Sequence, residues 1–138
     1  MSGESTTPDP VELGRGLLEA FNRRDFDAIE SLYAEDAVVV GAMRERFDGA
    51  AAIRGLYEDM ATPYGDLRSE IDEEIDLGNG IGFAVVTGVG HLVGSAVDVP
   101  FRVATVAVWA DGVIVRQRNY MDIDEARAAA ERLAAERA

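Results

Sequence analysis

The sequence predicts an α+β domain in which helices come first, strands follow without interruption and one helix closes the chain. Two observations carry this. Apolar residues recur three and four apart from Leu13 to Met60, whereas from Leu67 to Met121 the spacing falls to two, broken by Gly78-Asn79-Gly80, Gly94-Ser95 and Asp111-Gly112. The strands are not separated by helices, which excludes an alternating βαβ chain.

Asp9-Pro10-Val11-Glu12 places a cap, a proline at the first helical position and an early acid, the start of a helix that carries Leu13, Leu17 and Phe21 and ends near Asn22. A second helix is expected from Asp25, with Phe26, Ile29, Leu32 and Tyr33 turned inward, before Ala37 to Val40 becomes strand-like. Asp48-Gly49 opens a third, carrying Ile53, Leu56, Tyr57 and Met60, which Pro63 helps to stop. Leu67 to Asp76 then alternates, with Leu67, Ser69, Ile71, Glu73 and Ile75 on one face and Arg68, Glu70, Asp72, Glu74 and Asp76 on a wet one. Strands over Ile81 to Val93, Val97 to Trp109 and Val113 to Met121 complete a four-stranded meander. On one face of the first of these, Gly80, Gly82, Ala84, Val86, Gly88 and Gly90 carry little side chain, as strong curvature or the close approach of a helix requires. Asp122 and Glu125 read as cap and third residue of a last helix over Asp124 to Arg137.

The 138 residues suit one domain over 9–138 behind a disordered polar leader, 1–8. The leader is no secretion signal and no segment has the apolar length of a membrane helix, so a cytoplasmic protein is expected. A net charge of −13 disfavours nucleic acid and anionic lipid. There is no cysteine and one histidine, so no metal site and no cofactor are called for.

The stretches LLEAFNRRDFDAIESLYAEDAVVV, FDGAAAIRGLYEDM and FRVATVAVWADGVIVRQRNYMDIDEARAAA resemble the SnoaL-like branch of the nuclear-transport-factor-2-like superfamily, over about Val11 to Leu133. The resemblance implies a cone-shaped half-barrel: a strongly curved, mostly antiparallel sheet wrapped around three N-terminal helices, with a C-terminal helix, an apolar cavity at the wide end and a homodimer through the outer sheet face. It does not imply one reaction. The position matching the ketosteroid isomerase base is Gly41, and those of the oxyanion-binding residues are Leu17 and Thr105. The position of the limonene epoxide hydrolase aspartate is Asn119, and the Arg-x-Asp pair of those enzymes falls near Val86, Thr87 and Gly88. For polyketide cyclases His91 is near the right strand, with no Asp matched to it.

Period two on the last strand puts Val113, Val115, Gln117, Asn119 and Met121 on one face, which the resemblance turns toward the cavity, and Arg116, Arg118 and Tyr120 on the other, toward a dimer contact. Gln117 and Asn119 are therefore expected to orient a carbonyl or hydroxyl of a small hydrophobic or mildly polar ligand, among Trp109, Thr105, Phe101, Tyr57, Phe21 and Leu17. Two groups are candidates for acid–base chemistry. His91 is the sole side chain whose unperturbed pKa lies near neutrality, and Glu73, beside Ile71 and Ile75, would have its pKa raised by desolvation. An isomerase, cyclase or hydratase-like enzyme, a ligand carrier and a non-catalytic association domain all remain open.

Overall fold

The structure, a computed structural model, describes residues 10–137. The expected leader and the Asp9 cap lie outside them. Helix α1 (Pro10–Asn22) is followed by α2 (Phe26–Ser31), β1 (Tyr33–Val40), β2 (Arg46–Asp48), α3 (Ala50–Ala61), β3 (Tyr64–Gly78), β4 (Ile81–Leu92), β5 (Asp98–Ala110), β6 (Val113–Tyr120) and α4 (Ile123–Glu136). The strands form one curved, unclosed sheet in the order β2-β1-β6-β5-β4-β3. The pairing of β1 with β6 is parallel and every other pairing is antiparallel.

Local chemistry sets the helix ends. Asp25 caps α2 by accepting from Ala28 N at 3.1 Å, and Asp122 caps α4 by accepting from Glu125 N at 3.0 Å. Gly49 precedes α3 at φ 93°, a left-handed conformation that glycine adopts without strain. Asn22, at the last position of α1, exchanges two bonds of 2.9 Å with the backbone of Ser69 and so fastens α1 to β3. Arg54 of α3 bonds Asp27 and Glu30 and ties α3 to α2.

Two hydrophobic clusters share the sheet. On the concave side Leu13, Phe21, Ile29, Ile53 and Tyr57 of the helices meet Val39, Ala107, Trp109 and Ile114. On the convex side Ala126 and Ala130 of α4 meet Ile81, Phe83, Val85, Ala104, Val106, Val108 and Tyr120. Burial of these apolar faces, at roughly 25 cal/mol per Å², is the main force holding helices to both sides of the sheet.

Several sequence expectations are corrected. Tyr33 begins β1 rather than ending α2, and the short strand β2 adds to the four-stranded meander at the far side of β1. The register of β3 shifts between Ile71 and Glu73, which pair with the adjacent residues Val86 and Val85, so Asp72 is an extra residue. Such a bulge reverses the parity of everything after it. A second shift, between Val108 and Trp109 of β5, pairs Trp109 with Ile114 and leaves Val115 over. Ile114 thus joins the concave cluster and Val115 the convex one, the opposite of strict alternation. Tyr120 is 8% exposed, covered by α4 rather than left on the open outer face.

Candidate ligand cavity

Between the sheet's concave face and helices α1 and α3 lies a cavity of about 580 Å³. Its floor is made by small side chains on β4, Gly82 and Ala84, flanked by Thr105 and Ala107 of β5. The glycines further along β4 serve a related end. A Cβ on Gly88 would lie 2.3 Å from Cζ of Phe101, and one on Gly90 would lie 2.5 Å from the ring of Tyr64, so both aromatic rings rest on bare backbone. Phe101, Tyr64, Leu17, Phe21, Tyr57 and Trp109 supply the apolar wall.

Polar groups enter this wall in an ordered chain. The Tyr33 hydroxyl donates to Gln117 Oε1 at 2.6 Å. Its one proton being committed, it accepts from the Tyr57 hydroxyl, 2.7 Å away. Burial pushes both phenols above their usual pKa, so they remain neutral hydroxyls. Gln117 Nε2 donates onward to Asn119 Oδ1 at 3.0 Å, and Thr105 Oγ1 donates to the same oxygen at 3.2 Å. With Oδ1 occupied twice, the Asn119 amide is fixed in one orientation. Its Nδ2 has no partner among the described residues, yet it is not a buried orphan, because among those residues only Arg118 Nε is a buried side-chain polar atom left without a hydrogen bond. Asn119 lines the cavity, which leaves these N–H groups for a ligand there.

The bulge at Asp72 brings a residue to this cavity that alternation had put in water. Glu74 pairs with Ala84, Ala84 with Thr105 and Thr105 with Asn119, so the four form one row across the concave face. The Glu74 carboxylate is 11% exposed and accepts at Oε1 from Arg15 Nε at 3.1 Å. A run of acids, Asp72-Glu73-Glu74, holds no sign of which member turns inward; only the register across β4 shows it.

The two expected acid–base candidates stand elsewhere. Glu73 pairs with Val85 on the convex side, where Arg127 of α4 grips it with bonds of 2.6 and 2.8 Å. That hydrogen-bonded guanidinium lowers its pKa, against the rise that an apolar neighbourhood would have caused. His91 pairs with Asp66 on one side and Asp98 on the other, bonding Asp98 at 2.6 Å and Asp66 at 3.3 Å. It shares the parity of Ile81, Phe83 and Val85, hence the convex face, and neither it nor Glu73 lines the cavity. The eight residues expected around a ligand, Leu17, Phe21, Tyr57, Phe101, Thr105, Trp109, Gln117 and Asn119, all do line it. Among the described residues no helix is long and apolar enough to cross a membrane, and no group of three or more His, Asp or Glu is placed to hold a metal.

The model of the SnoaL-like domain matches residues 15–117. The chain belongs to the SnoaL-like family. Among solved structures, its fold is similar to that of a protein with a ketosteroid isomerase-like fold from Catenulispora acidiphila, solved in complex with trimethylamine. That protein is 17% identical, with a TM-score of 0.73 over 89% of this chain and 94% of the other. An LEH-like epoxide hydrolase from M. tuberculosis is 20% identical, with a TM-score of 0.69 over 88% and 89% of the two chains. A putative SnoaL-like polyketide cyclase from Shewanella denitrificans is 12% identical, with a TM-score of 0.68 over 88% and 96%. At these identities the likeness is one of fold. No curated protein sequence matches the chain. In this SnoaL-like domain the sheet, the enclosing helices and the hollow between them follow the family's cone, while Asn119 at the cavity floor is an amide that cannot take a proton near neutral pH.

Proposed function

We propose that this SnoaL-like domain binds a largely apolar small molecule inside its cone and orients it by a hydrogen bond from Asn119 Nδ2 to an acceptor oxygen of the ligand. The observation that carries this reading is the cavity of about 580 Å³ lined by the Asn119 amide, which is oriented through Oδ1 while its Nδ2 has no partner among the described residues. Its volume falls among those of small-molecule sites, roughly 300–1,000 Å³, and its few converging polar groups in an apolar lining are the pattern of such sites. An association domain has no use for a void of this size, because an unfilled interior forfeits packing energy. The outward placement of Glu73 and His91 favours binding over acid–base catalysis by those two groups.

The sole tryptophan, Trp109, lines the cavity and gives the assay its signal. Titration with the neutral apolar dye N-phenylnaphthylamine is expected to show saturable energy transfer from Trp109 at one dye per chain. Ala84→Phe, which plants a ring on the floor, is expected to abolish it while the far-ultraviolet circular dichroism is unchanged. Asn119→Leu is expected to weaken a naphthyl ketone by about 1 kcal/mol, the net worth of one neutral hydrogen bond, and to spare the dye. Non-saturable dye uptake, or uptake indifferent to Ala84→Phe, contradicts the proposal.

A further inference from the structure

Resting on that reading of the cavity, we infer that its preferred ligand is cationic: an apolar molecule bearing a basic nitrogen, held by Glu74 at the opposite end of the row from Asn119. The lining is one-signed. Glu45, Asp59 and Glu74 contribute to it, and no arginine, lysine or histidine does. Neither Glu45 nor Asp59 forms a salt bridge among the described residues. An anionic ligand would enter against these carboxylates with no cationic side chain in the lining to receive it.

Glu74 is the member built for contact. The extra residue at Asp72 turns it inward, and its carboxylate is 11% exposed. Arg15 engages only Oε1, through Nε, and the Arg15 side chain is itself 68% exposed, so its charge is largely spent on water. Among the described residues Oε2 accepts no hydrogen bond and is not a buried orphan, and Glu74 lines the cavity, so this oxygen is left for a ligand there. Oε2 lies close to α1, where a Cβ on Gly14, itself a lining residue, would come within 3.2 Å of it, so the bare glycine is what keeps a side chain off that oxygen. The rings of Phe21, Tyr57, Phe101 and Trp109 share the same wall, and aromatic faces attract a poorly solvated cation. The row fixes the span as well: three strand spacings of about 4.8 Å separate Glu74 from Asn119, roughly 14 Å between Cα atoms before curvature brings them closer. An ammonium at Glu74 and an oxygen at Asn119 are thus read by two groups with complementary signs, one acceptor and one donor.

The experiment compares naphthylbutylamine, naphthylbutanol and naphthylbutanoate by Trp109 emission on the whole chain. The amine is expected to bind on the order of tenfold tighter than the alcohol, the gain of a charge-assisted hydrogen bond, with the carboxylate weakest. Glu74→Gln, which keeps the volume and removes the charge, should bring the amine to the alcohol's affinity and leave the alcohol within about twofold. Arg15→Met, which frees Oε1, should strengthen the amine alone. Equal binding of amine and alcohol by the unmodified protein, or an amine preference that survives Glu74→Gln, overturns the inference while leaving the cavity reading intact. Binding of none of the three overturns both.

Discussion

The hydrogen-bond chain behind Asn119 can be tested by removing one link. In Gln117→Leu the Tyr33 hydroxyl loses the acceptor it reaches at 2.6 Å, and Asn119 Oδ1 loses the nearer of its two donors. Reorganisation cannot repair this. The two phenols, Tyr33 and Tyr57, carry two protons, and if each hydroxyl turns to the other only one proton is satisfied. Tyr33 and Gln117 are 4% and 5% exposed, so water is not at hand to replace the lost partner. A buried donor left unpaired costs about 1–3 kcal/mol. For a domain of this size 1 kcal/mol moves Tm by roughly 3–6 °C, so Gln117→Leu should melt at least about 3 °C below the unmodified protein. Tyr33→Phe in the same background removes the orphaned hydroxyl and should recover a good part of that loss, because deleting both partners of a buried bond costs far less than deleting one. Urea denaturation of the four proteins in this cycle reads the coupling, expected at about 1–2 kcal/mol with unchanged m-values. Additivity within about 0.5 kcal/mol would refute the chain as drawn.

On the convex face, His91 is held by Asp98 and then Asp66, and these bonds raise its pKa. A raised histidine pKa means stabilisation that is complete below the unfolded value of about 6.5 and lost as pH rises through the folded one. Tm measured from about pH 6 to 8 should therefore fall more steeply for the unmodified protein than for His91→Gln, and identical slopes would show that the Asp–His–Asp cluster contributes nothing. Among the glycines, Gly88→Ala should destabilise by about 1–3 kcal/mol, since its Cβ would lie 2.5 Å from the Arg68 backbone oxygen, which cannot swing away as Phe101 can. Gly55→Ala in α3, where nothing lies within 4 Å, should instead stabilise by about 0.8–1 kcal/mol, and thermal melts that rank the two variants the other way would contradict the packing described.

The sequence reveals the helices because their signals are local. Asp25 and Asp122 are caps that act over three residues, and the stripe Leu13-Leu17-Phe21 needs only its own helix to be read. The face of Gln117 and Asn119 is also legible, since both lie beyond the irregularity near Val115 and the family resemblance supplies the inward direction. What escapes is non-local. β2 spans three residues, too short for any periodicity, and exists through its pairing with Val38 to Val40. The parallel pairing of β1 with β6 joins residues some eighty positions apart. The bulge at Asp72 is visible only as two adjacent β4 residues facing Ile71 and Glu73.

That single inserted residue decides the chemistry of both sheet faces. Before it, β3 points Ser69 and Ile71 toward the hollow; after it, strict alternation would have sent Glu73 there, unpaired, and left Glu74 in water beside no partner. With Asp72 absorbed, Glu73 meets Arg127 and helps to fasten α4 over Phe83, whose ring also lies 4.9 Å beneath that guanidinium. Glu74, the next residue, turns to the cavity and accepts from Arg15 of α1 at its edge. Adjacent carboxylates thus do separate tasks, one clamping the closing helix and one giving the cavity its charge. A strand of unbroken period would also have divided them, but with the faces exchanged, so that neither carboxylate met its present partner. The selectivity assigned to Glu74 and the docking of α4 by Glu73 therefore stand on one backbone feature, and any change that removes the bulge must disturb the two together.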